Sequence, residues 1–140
     1  MAGSKNDGFT AEERAAMKAR ARELKATETK AELEAQVVAA LAELTQPDRA
    51  IGEKIHELVT SVAPQLSAKL WYGMPAWALD GKVVCFFQSA DKFKSRYPTL
   101  GFSDIAKLDD GSMWPTSYAL TKLGATDEAA IRALISKAAG

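Results

Sequence analysis

The sequence predicts an α+β fold, a sheet backed by helices with a helical arm at its N-terminus, and three observations predict it. The chain up to about residue 63 carries apolar residues at helical spacing. From Leu70 onward it shows short apolar runs separated by Gly, Pro and Asp. A last helical pattern, from Thr126, closes the sequence. The two halves meet at Trp71-Tyr72-Gly73-Met74-Pro75-Ala76-Trp77, which sets three large aromatics and a Met around a Gly and a Pro. The core is expected to form around this stretch.

The chain has 140 residues, enough for one domain. Its 47% apolar and 26% charged residues are ordinary for a globular protein. Eighteen Lys and Arg against eighteen Asp and Glu give zero net charge, which argues against a nucleic-acid partner, since neutralising phosphates asks for a basic surplus. No run approaches the ~18 apolar residues of a membrane span. Met1 to Asp7 is polar and lacks the apolar segment of a signal peptide. The single Cys85 has no internal disulfide partner and sits in an apolar run. These features predict a cytoplasmic protein with no membrane partner.

Residues 1–8 are small and polar and are expected to be disordered. Thr10-Ala11-Glu12-Glu13 has the form of a capping box, so a helix is expected to about Ala26 or beyond. Its apolar seam is thin (Met17, Ala21, Leu24), which predicts a loosely docked arm over residues 1–30 and a domain over 31–140. Arg14, Lys18 and Arg22 make a basic stripe whose ordinary reading is a solvated face. A second helix, 31–44, places Leu33, Val37, Leu41 and Leu44 on one face. Pro47 suits the start of a third, which Pro64 stops; its stripe is Ile51, Ile55, Leu58, Val59 and Val62. His56, alone and one position off that stripe, reads as structural.

Leu70 to Leu79 reads as a strand broken at Gly73-Met74-Pro75, with Pro75 marking an edge or a bulge. Asp80-Gly81 is a hairpin signal. Lys82 to Gln88 is apolar at both parities, as in a strand inside a sheet. Phe93 to Tyr97 alternates, with Lys92, Lys94 and Arg96 on one face, and reads as a further strand. Leu100-Gly101-Phe102 adds a short piece, Asp109-Asp110-Gly111 a turn, and Met113 to Leu123 extended segments. Thr126 is the expected cap of the last helix, whose core residues are Ile131, Leu134 and Ile135.

Tyr72-Gly73-Met74-Pro75-Ala76-Trp77, followed by Asp80-Gly81-Lys82 and an apolar strand, resembles the signature of the YdhG-like family, small bacterial proteins of unknown function. Gly101-Phe102 and Trp114-Pro115 match its later strands, and the likeness covers about residues 33–140. The resemblance implies a two-layer domain in which helices back an antiparallel sheet. The family is also compared with frataxin, and one branch is proposed to be an intracellular iron chaperone. Iron as cargo is thus implied by kinship; that role rests on surface carboxylates and supplies no motif to fix metal ligands here.

No dinucleotide or phosphate loop is present, and one His offers little for a triad or a zinc site. Cys85 is expected to be an inert thiol. An enzyme is disfavoured, and no resident cofactor is expected. Glu12 with Glu13, Glu28 with Glu32, and Asp104 with Asp109 and Asp110 are the carboxylates that could hold a hard cation, although each has an ordinary reading as cap, solvated face or turn. Trp71, Tyr72, Met74, Trp77 and Trp114 are the candidate ligand-binding residues, with Lys94 and Arg96 supplying positive charge on an open sheet face. Three roles follow. A metal carrier predicts clustered carboxylates. A protein-interaction module predicts an exposed apolar patch near Trp77 or Trp114. A small-anion binder predicts a concavity beside Lys94 and Arg96.

Overall fold

A computed structural model describes residues 10–140, and the side chains of these apart from 19–29. The element order is α1 (Ala11–Ala42), α2 (Asp48–Val62), β1 (Ser67–Trp71), β2 (Met74–Leu79), β3 (Lys82–Gln88), α3 (Ala90–Phe93), β4 (Thr99–Phe102), β5 (Ser117–Ala119) and α4 (Ala125–Ala139). The fold is α+β, with one open antiparallel sheet in the order β1-β2-β3-β4-β5. Contacts divide the chain into two compact units, Met1–Glu32 and Leu33–Gly140. The expectations for residues 1–8, for Ala21 and Leu24, for Arg22 and for Glu28 lie outside the described residues.

In the first unit the capping box forms as the sequence predicts. The Glu13 N–H donates to Thr10 Oγ1 at 3.0 Å and the Thr10 N–H to Glu13 Oε1 at 2.9 Å. The two expected helices over 10–26 and 31–44 are a single helix, α1. Between them lie only helix-permissive residues, with neither Gly nor Pro to stop propagation.

In the second unit the core gathers Val37 and Leu41 of α1, Ile51, Ile55, Leu58 and Val59 of α2, and Ile131 and Ile135 of α4 against the sheet. Gly52 marks the tightest approach. A Cβ there would lie 2.6 Å from Leu41 Cδ2 and 2.8 Å from the Phe87 ring, so α1, α2 and β3 close only around a glycine.

Two tight turns build the first three strands. Tyr72-Gly73 joins β1 to β2 and Asp80-Gly81 joins β2 to β3, and all four residues have positive φ, the mark of type I′ turns. The break in the 70–79 run therefore falls at Tyr72-Gly73 and not at Gly73-Met74-Pro75. Pro75 lies inside β2 opposite Leu70, one residue beyond the end of the β2–β3 ladder at Ala76, where its missing N–H leaves no ladder bond unmade. The bulge sits elsewhere: Trp77 pairs with Cys85 but Ala78 with Val83, so Val84 is an extra residue in β3.

Three other expectations are corrected. Residues 93–97 form no strand. Ser89 caps α3, accepting the Lys92 N–H at 3.2 Å, and Lys94 follows in the left-handed conformation at φ 57°. Extended pairing after Met113 is limited to β5, Ser117–Ala119. The last helix is capped two residues earlier than Thr126, at Gly124, whose N–H donates to Asp127 Oδ2 at 2.8 Å.

Candidate functional site

The register assigns each strand residue to one of two faces. Trp77 pairs with Cys85 and Cys85 with Phe102, while Phe87 pairs with Leu100. These five are buried and belong to the helix-packed core. Their neighbours of opposite parity make the other face: Lys69, Trp71, Met74, Ala76, Phe86 and Gly101. Met74 and Ala76 are buried yet stand outside the core cluster. Their cross-strand partners on this face are aromatic, Trp71 opposite Met74 and Phe86 opposite Ala76.

On the core face, Trp77 is 1% exposed. Its indole Nε1–H donates to His56 Nδ1 at 3.1 Å. His56 must then carry its proton on Nε2, which donates to Glu34 Oε2 at 3.1 Å. Both ring nitrogens are committed, and the lone His is structural. Cys85 beside Trp77 is fully buried, and that burial pushes its thiol up to about 12. It is a protonated, inert thiol.

The open face carries a continuous aromatic strip. Phe86 lies over Gly101, where a Cβ would come within 2.3 Å of the ring. Trp71 meets Phe86 with centroids 5.2 Å apart, and Tyr72 meets Trp71 edge-on at 5.0 Å. Beside Trp71 a shallow groove of about 430 Å³ opens between β1, the β2–β3 turn and the segment after β4. Lys69, Trp71, Gly81, Lys82, Val83 and Ile105 line most of it, with Ser103 and Asp104. The Ser103 hydroxyl is engaged, donating to the Val83 carbonyl, so it holds the loop in place. Two lysines against one aspartate leave the lining cationic. Such a site offers an aromatic wall, an aliphatic floor and positive charge at the rim.

The structure brings together only part of the predicted site. Trp71, Tyr72 and Met74 share the open face or its turn. Trp77 faces the opposite way, into the core, and Trp114 is half-buried against the same core. Lys94 lines a separate open groove of about 500 Å³ with Thr45, Pro47, Asp48 and Asp91, while Arg96 lies over the Tyr97 ring at 5.9 Å. The expected concavity thus exists beside Lys94, but without Arg96 or an aromatic wall. What places Lys94 there is Asp48, 95% buried, whose Oδ2 accepts Ser89 Oγ–H at 3.1 Å and the Ala90 and Asp91 N–H groups at 2.8 and 3.2 Å. Sequence reasoning missed Lys69, Lys82 and Ile105. Lys69 and Trp71 alternate along β1, a signal available once the strand is started at Ser67.

Among the described residues no three His, Cys, Asp or Glu side chains gather as a metal site, and no helix is long and apolar enough to cross a membrane. Glu13 is engaged at the cap of α1. Comparison with family models, with curated proteins and with solved structures returns no match to this chain.

Proposed function

We propose that this chain is a cytoplasmic, YdhG-like binding module rather than an enzyme, and that it takes a small anionic ligand on the open face of its sheet. The observation that carries the reading is the groove beside Trp71, where an indole wall meets Lys69 and Lys82. Aromatic surface and positive charge together suit a ligand with an apolar body and an anionic group. The groups best able to do chemistry are occupied elsewhere: His56 at both nitrogens, Ser103 at Val83, Cys85 by burial. The iron-chaperone reading implied by kinship has less support, because no carboxylate cluster is found among the described residues.

The test is an amide NMR titration with naphthalene-2-sulfonate. Shifts are expected at Lys69–Trp71, Gly81–Val83 and Ser103–Ile105. The double variant Lys69→Glu/Lys82→Glu should weaken binding about tenfold, the equivalent of roughly 1.4 kcal/mol, with an unchanged melting temperature. A spectrum unmoved at millimolar probe, or affinity indifferent to the charge reversal, rejects the groove. A parallel anaerobic Fe(II) titration that broadened only amides near clustered carboxylates at micromolar metal would put iron handling first.

A further inference from the structure

The two type I′ turns differ in one residue. Asp80-Gly81 is the composition this turn favours, because short polar residues tolerate positive φ. Tyr72-Gly73 adopts the same geometry with a bulky ring at φ 51°, a conformation that L residues with large side chains rarely hold. Burial does not compensate: Tyr72 is 80% exposed. Its ring meets Trp71, the wall of the groove, edge-on. The turn is fixed from behind, since Lys92 Nζ donates to the Gly73 carbonyl at 2.9 Å. A side chain held out in water on an unfavourable backbone, next to a binding wall, is a feature of function rather than of folding.

We propose that Tyr72 is a specificity-determining residue of the open-face groove, and that the ligand is a planar aromatic anion. Its ring stacks on Trp71, its charge meets Lys69 and Lys82, and Tyr72 closes on its exposed edge. This inference rests on the binding reading above and adds to it the shape of the ligand. A flat ring is the form that an indole face and a tyrosine edge hold together, at centroid separations of about 4.5–7 Å.

The experiment compares the full chain with Tyr72→Asn, which places a residue suited to the turn at that position. Two probes of equal charge are used, planar naphthalene-2-sulfonate and non-planar cyclohexanesulfonate. Melting temperature should rise by about 2–5 °C as the backbone relaxes. Affinity for the planar probe should fall about tenfold, and affinity for the non-planar one should be unchanged. Tyr72→Phe should retain planar binding, since the ring and not the hydroxyl is the contact. A fall in melting temperature, or equal effects on both probes, overturns the role of Tyr72 and leaves the groove standing. Failure of the unaltered protein to bind either probe removes the groove itself and this inference with it.

Discussion

The two faces of the sheet are built from the same strands by opposite logic. On the core face each large side chain has a volume to fill and a partner for its polar atom; Trp77, its N–H on His56, is the type case. On the open face the aromatics cover one another and leave a groove beside them. The difference teaches where to look for function. A tryptophan wholly explained by packing has no freedom left for a ligand, while a half-buried one that roofs a neighbour still offers a face to solvent.

Substitution at the two tryptophans is the largest way to break this contrast. Trp77→Ala should cost about 3–5 kcal/mol in urea denaturation, the range for emptying an aromatic site in a core. Trp71→Ala should cost roughly 1 kcal/mol and abolish probe binding. Equal losses would mean that the open face is a second core and not a surface. Next in size, the pH dependence of stability sharpens the account of the core face. Cys85 is held protonated up to about 12 in the fold, against 9.0 ordinarily, so only the unfolded chain releases that proton between those values. Stability from this group is complete below pH 9 and should decline toward pH 12 by about 1.4 kcal/mol per unit. The wild-type minus Cys85→Ala difference in melting curves isolates it from other groups, and parallel curves would contradict the burial argument. The third test, His56→Ala, strands the Trp77 indole N–H in the core and should cost about 1–3 kcal/mol. An unchanged stability would show that the indole recruits water and that the Glu34–His56–Trp77 chain is incidental.

Much of this was legible from local pattern. The capping box at Thr10, the Asp80-Gly81 hairpin and the apolar run of β3 are each specified by residues within a few positions of one another. Trp71 and Tyr72 could be singled out for the same reason. Lys94 and Arg96 could not be placed, because their segment is set by Asp48, a residue 42 positions before the Ala90 N–H that it accepts. Nothing in the alternation of Phe93 to Tyr97 reveals that acceptor. The groove was hidden likewise: Lys69, Lys82 and Ile105 become neighbours only once β1, the second turn and the segment after β4 have assembled. Thr126 misled because Asp127 can serve as the side chain of a cap whose backbone belongs to Gly124.

Val84, the extra residue of β3, acts as a phase shift in the strand. Val84 and Cys85 both turn inward, and every side chain after them is counted from that point. Removing Val84 would make Ala78–Val83 and Trp77–Cys85 successive pairs and leave Phe86 and Phe87 on their present faces, so it is the bulge, and not the residue count alone, that sets the phase. Were the same seven residues paired in strict alternation with no bulge, Phe86 would be driven among the helices, Phe87 would be thrown out to the open face, and Trp71 would lose the ring against which it rests. Which aromatics of β3 meet the helices and which stay on the open face is thus decided by one doubled inward step in a single strand.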